Sequence, residues 1–94
     1  MSGEAAERFV VLGRVQGVGY RWWAVETARR LGLRGWVRNR RDGSVEIHAA
    51  GAGAALGEFA RACEGGPASA RVSEVRRFPA ADDGLHGFEQ RPTE

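Results

Sequence analysis

Between Phe9–Val15 (FVVLGRV), a run rich in β-branched residues, and Trp22–Leu31, which contains neither Gly nor Pro, the sequence places the loop Gln16-Gly17-Val18-Gly19-Tyr20-Arg21. The first run favours extended backbone, with Val11, Gly13 and Val15 on one face. In the second, Ala24, Ala28 and Leu31 fall at i, i+4 and i+7 and lay one apolar stripe along a helix. A strand must therefore give way to a helix within this loop, and Gly17 and Gly19 permit the backbone angles that such a turn needs. Gly32 stops the helix just beyond its C-cap.

The same alternation recurs downstream. Gly35–Arg40 (GWVRNR) and Ser44–Ala49 (SVEIHA) suit strands, and Asp42-Gly43 between them is a strong hairpin signal. Val45, Ile47 and Ala49 alternate with Glu46, His48 and Ala50, so one face of this strand is buried. Leu56, Phe59, Ala60 and Cys63 mark a second helix over Ala54–Glu64, ended by Gly65-Gly66-Pro67. Gly57 inside it costs about 1 kcal/mol relative to Ala. Arg71–Phe78 reads as a fourth strand in which Val72 and Val75 straddle a bulge, and Gly87–Arg91 (GFEQR) as a short extra edge strand. The order β-α-β-β-α-β predicts an α+β, ferredoxin-like split βαβ fold: an antiparallel sheet with two helices on one face. One domain is expected over residues 8–91, with loose tails at 1–7 and 92–94.

With 43% hydrophobic and 28% charged residues among 94, the chain has apolar mass for one core and too little length for a second domain. No apolar run reaches the roughly 18 residues of a membrane helix, and MSGEAAE at the start lacks the segments of a secretory signal. A cytoplasmic monomer without membrane contact is expected. Cys63 is the one cysteine, which excludes an internal disulfide and a thiolate metal cage, and it reads as a buried, inert thiol. All fourteen basic residues are Arg, yet the net charge is only +2, too small to indicate a nucleic acid partner. Arg29-Arg30, Arg40-Arg41 and Arg76-Arg77 read as solvated charge. His48 and His86 accompany no carboxylate or nucleophile at a telling spacing. Asp82-Asp83 before Gly84 reads as a turn and not a metal site, so no metal or other cofactor is expected. Trp22, Trp23 and Trp36 read as packing or shielding, with Trp36 on the face opposite Asn39.

The loop between the first strand and helix is where free backbone N–H groups and the positive end of a helix converge, which favours an anion. Two glycines let consecutive amides form a nest, and Arg21 adds a permanently charged fork suited to phosphate. There is no Gly-Lys-Ser/Thr and no GxGxxG, so a short phosphate fits better than a nucleotide. On spacing alone, the glycines serve a tight turn as well as they serve an anion.

Gly13–Arg21 (GRVQGVGYR), read with Gly35-Trp36-Val37-Arg38-Asn39 and Gly43-Ser44-Val45-Glu46, resembles both signature segments of the acylphosphatase family, and the similarity of order runs from about Arg8 to Arg91. The resemblance implies hydrolysis of the carboxyl–phosphate anhydride of small acyl phosphates, with no metal and no covalent enzyme intermediate. It implies that Gln16, Gly17, Val18, Gly19, Tyr20 and Arg21 form the phosphate cradle. Arg21 is then the phosphate-binding arginine, and Asn39 orients the attacking water. Inorganic phosphate or sulfate is expected to occupy the same cradle. Tyr20 stands where Phe is the commoner choice, and Trp22-Trp23 make a bulky helix start.

Two other classes share the element order. An RNA-binding module would carry aromatics on an exposed sheet, but Phe9 and Trp36 stand isolated and no Lys/Arg-Gly-Phe-like run is present. A module that binds a phosphorylated metabolite without turning it over would have no use for a water-positioning amide.

Overall fold

In a computed structural model, which describes residues 3–82 and 84–94, the chain runs β1 (Glu4–Arg14), α1 (Tyr20–Arg30), β2 (Arg34–Asn39), β3 (Val45–Ala52), α2 (Gly53–Gly65), β4 (Arg71–Pro79) and β5 (Phe88–Gln90). The sheet order is β4-β1-β3-β2-β5. Its first four strands pair antiparallel, the split βαβ arrangement predicted from the sequence. β5 pairs with β2 in parallel, so the sheet is mixed and not wholly antiparallel as expected. The path explains this. β4 runs opposite to β2, so a chain that crosses the end of the sheet where β4 finishes must start β5 in the direction of β2.

Two expectations about the termini are corrected. Glu4–Glu7 are not a loose tail: they open β1 and pair with Ala49–Ala52, because β3 extends past its alternating core and offers a free edge. Glu94 is also held, its N–H donating to the Asn39 carbonyl at 3.1 Å and its carbonyl accepting from the Arg41 N–H at 3.3 Å. Met1 and Ser2, and Asp83 of the predicted acidic turn, lie outside the described residues.

Alternation along the strands decides which face is covered. Phe9, Val11, Val37, Val45, Ile47 and Ala49 point to one side, where they meet Ala24, Val25 and Ala28 of α1 and Leu56, Phe59, Ala60 and Cys63 of α2. Each Val, Leu, Ile or Phe among them contributes about 1.5–3 kcal/mol by leaving water. Phe59 is the pivot, its ring meeting Phe9 edge-on at 5.5 Å and Phe88 at 6.3 Å. Trp36 and His48 stack at 5.8 Å on the opposite, open face, so Trp36 does take the side away from Asn39.

α1 ends as the sequence signals. The Gly32 N–H donates to the Arg29 carbonyl and the Leu33 N–H to the Ala28 carbonyl, a Schellman closure sealed by the buried pair Leu33 and Ala28. The predicted bulge lies opposite Leu12/Gly13, where Ser73 is the extra residue between the pairs Leu12–Glu74 and Gly13–Val72. Gly13 is required there by proximity, since a Cβ would sit 2.2 Å from the Arg71 carbonyl oxygen. That close seam fixes the end of β1 just before the loop that follows it.

Candidate active site

The loop after β1 owes its shape to Gly17 and Gly19, at φ 72° and 80°, where no heavy atom lies within 4 Å of a would-be Cβ. Backbone conformation, not crowding, demands glycine here, and open space lies above it. Gly19 is the N-cap of α1 and offers no side chain to it. The first helical bond runs from the Trp23 N–H to the Gly19 carbonyl. The N–H groups of Tyr20, Arg21 and Trp22 precede that bond and have no acceptor inside the helix. The positive end of α1 is therefore left without a partner inside the helix, and Arg21 lies in that same first turn.

Asn39 approaches from the end of β2, on the same face as Val37. Its Oδ1 is buried and has no hydrogen-bond partner among the described residues. Together Val15, Gly17, Gly19, Tyr20, Arg21, Trp22, Asn39 and Gln90 line a hollow of about 150 Å³. Of the residues expected in the cradle, Gly17, Gly19, Tyr20 and Arg21 thus meet Asn39 there. Val18 packs against the core instead. The Gln16 side chain turns away and donates from Nε2 to the Arg40 and Ser44 carbonyls at 2.7 and 2.8 Å.

Those two carbonyls flank the β2–β3 turn. The Gly43 N–H donates to the Arg40 carbonyl and the Arg40 N–H to the Ser44 carbonyl. Asp42 Oδ1 accepts from both the Ser44 N–H and its hydroxyl, at 2.9 and 2.6 Å, which closes the turn and holds the Asp42 carboxyl below the usual range. Gln16 therefore ties the glycine loop to the hairpin that carries Asn39.

Behind the hairpin, Glu46 is buried although alternation puts it on the face opposite Val45 and Ile47. Its carboxylate accepts from Arg8 at 2.6 Å, Arg38 at 2.8 Å and Arg40 at 3.2 Å. Burial alone would raise this carboxyl, but the hydrogen bonds and charges of Arg8 and Arg38 outweigh it and hold the group low. Arg40, read as solvated charge, is a partner of this carboxylate.

Tyr20 begins α1 yet works mainly on α2. Its hydroxyl donates to the Cys63 carbonyl at 2.7 Å inside the core. The ordinary donor to that carbonyl, the backbone N–H four residues on, does not exist because the residue is Pro67. Burial, reinforced by the Cys63 neighbourhood, raises the Tyr20 phenol far above its usual value, so it stays protonated. Burial likewise pushes the Cys63 thiol up to about 12, in keeping with the inert thiol expected.

Gln90 was missed as a site residue. The signal was present, since alternation from Phe88, whose ring is in the core, puts Gln90 on the same face of β5. Among the described residues, no carboxylate, His or Cys lines the hollow. Among the described residues there is also no cluster of three or more His, Cys, Asp or Glu side chains. What the lining residues offer is backbone amides, the Arg21 side chain and the neutral carboxamides of Asn39 and Gln90, donors suited to an anion.

Fold and site together define a small α+β domain with a hollow at its first strand–helix junction, lined by Gly17, Gly19, Arg21 and Asn39. The sequence model of the Acylphosphatase family matches residues 7–90. An acylphosphatase of Rhodospirillum rubrum is 53% identical over 83 residues, 88% of this chain and 91% of that protein. The crystal structure of acylphosphatase from Bacillus subtilis superposes with a TM-score of 0.89 at 38% identity, covering 92% of this chain and 97% of the other. An acylphosphatase structure from Coxiella burnetii gives 0.91 at 31% identity, over 95% and 94% of the two chains. The chain belongs to the acylphosphatase family, and its activity is the hydrolysis of acyl phosphates to a carboxylate and inorganic phosphate.

Proposed function

We propose that the phosphoryl group of a small acyl phosphate sits in the glycine loop with Arg21 forked onto its oxygens, while Asn39 holds the attacking water. An acyl phosphate carries its own good leaving group, so catalysis reduces to holding the phosphoryl group, spreading its developing charge and placing water in line. Arg21 and the amides of Gly17, Gly19 and the first turn of α1 meet the first two needs. The buried Asn39 Oδ1 accepts a hydrogen bond from the water and fixes its direction without taking its proton. The water oxygen bonds to phosphorus as the bond from phosphorus to the acyl oxygen breaks. The carboxylate departs with the electron pair, and the water's proton passes to the phosphate. No protein base enters.

The observation that carries this reading is that Arg21 and Asn39, from separate segments of the chain, line one hollow with the two positive-φ glycines. Arg21 makes no ion pair among the described residues, whereas Arg8, Arg34, Arg38, Arg40 and Arg77 all have carboxylate partners. Its charge is thus uncommitted. The protein acts as a monomer in this reading, since Trp22 and Phe78 are the only large exposed hydrophobics among the described residues. Among the described residues no helix is long and apolar enough to cross a membrane. On the open face Trp36 is only 8% exposed and has Arg38 and Arg91 over its ring, so it offers no free stacking surface for RNA. The test is hydrolysis of benzoyl phosphate by the intact chain, with Arg21→Ala as control. Release of phosphate by the native chain and its loss in the variant are expected, and an Arg21→Ala protein with native turnover would refute the assignment.

A further inference from the structure

We infer that Trp22 is the platform for the acyl half of the substrate and gives this enzyme a preference for flat, apolar acyl groups, an inference that rests on the reading of the phosphate site above. Two of the three tryptophans have evident structural work. Trp23 packs against the core and meets the Tyr20 ring at 5.2 Å. Trp36 stacks on His48 and lies under two guanidinium groups. Trp22 has neither a ring partner nor a cation over it among the described residues, and it is 64% exposed. The other exposed aromatic, Phe78, is covered by the Arg8 guanidinium at 5.4 Å. Among the described residues Trp22 is therefore the one large apolar side chain left in water without a partner, and it stands on the wall of the hollow.

Its position in α1 aims it there. Trp22 lies in the first turn, and helical side chains lean toward the N-terminus of their own helix, which here is the glycine loop. The bond that breaks lies opposite the attacking water, so the acyl group must leave the cradle across its rim. Val15 and Tyr20, the other apolar residues on the wall, are buried, which leaves Trp22 as the apolar surface an acyl group meets. An aromatic acyl group stacks on an indole, whereas a methyl or amino group covers little of it.

The test compares kcat/KM for benzoyl phosphate and acetyl phosphate in the native chain, Trp22→Ala and Trp22→Phe, with Arg21→Ala alongside. The benzoyl-to-acetyl ratio should fall about fivefold in Trp22→Ala and stay within about twofold of native in Trp22→Phe. An unchanged ratio in Trp22→Ala, or equal losses on both substrates, would overturn the inference while loss of activity in Arg21→Ala leaves the phosphate site standing. Native activity in Arg21→Ala would remove the phosphate site, and the inference with it.

Discussion

Gln16 reaches from the glycine loop to Ser44 on the far side of the β2–β3 turn, its Nε2 donating to that carbonyl at 2.8 Å and to the Arg40 carbonyl at 2.7 Å. This side chain ties the glycine loop directly to the hairpin that carries Asn39, in addition to the β1–β3 and β3–β2 ladders. Gln16→Leu removes both side-chain hydrogen bonds and leaves each carbonyl with its backbone donor alone, at a cost of about 1–2 kcal/mol. Turnover should fall as well, because a small displacement of the water-holding amide is expensive in rate. Urea denaturation and kcat on benzoyl phosphate measure the two effects. A variant with native stability would show that the contact carries no weight.

Tyr20→Phe tests the second cross-link. The ring still fills its place, but the Cys63 carbonyl loses its donor and Pro67 has no N–H to replace it. Stability should drop by about 1–2 kcal/mol, seen as a fall of roughly 4–16 °C in the thermal midpoint of so small a domain. Activity at 25 °C should remain within about twofold of native, since the hydroxyl is turned away from the hollow.

Glu46 makes the fold sensitive to acid. Burial opposes its ionisation, yet hydrogen bonds from Arg8 and Arg38 hold its carboxyl below the ordinary 4.5. A carboxyl depressed in the folded state stabilises at pH values above its unfolded value, and this contribution is lost as pH falls through the folded value. Thermal midpoints should therefore decline as pH drops below about 4.5, and Glu46→Gln should flatten part of that decline. At neutral pH the same variant should lose about 1–3 kcal/mol, less than for a fully buried pair because Arg8 and Arg40 side chains are 41% and 36% exposed. Equal acid sensitivity in the native and Glu46→Gln chains would contradict this assignment.

Much of this was legible in the chain because each local signal agreed with the next. The period of Leu56, Phe59, Ala60 and Cys63, the Asp42-Gly43 turn and the spacing of Val72 and Val75 all depend on near neighbours in sequence. Burial of Glu46 was not legible: alternation puts it on the open face, and only the fold brings Arg8, Arg38 and Arg40 around it. Nor could three residues of β5 announce a parallel partner, since pairing direction is set by where the chain crosses the sheet. The role of Gln16 was hidden likewise. Motif position suggests phosphate, whereas its side chain is taken up by the hairpin.

With no carboxylate, His or Cys among the described residues that line the hollow, the rate of acyl phosphate hydrolysis should stay flat across roughly pH 5–8, and EDTA should leave it unchanged. A bell-shaped profile, or activity restored by a divalent cation after chelation, would require a base or a metal that this mechanism does not use.

The division of labour between Arg21 and Asn39 is tested most directly by measuring kcat and the inhibition constant of inorganic phosphate in Asn39→Ala and Arg21→Lys. Asn39→Ala should lower kcat by about 10²-fold with the phosphate constant within about twofold of native, while Arg21→Lys should lose about 10²-fold in kcat and bind phosphate more weakly. A phosphate constant that rises equally in both variants, or a native kcat in Asn39→Ala, would contradict a site in which one residue grips the anion and the other places the water.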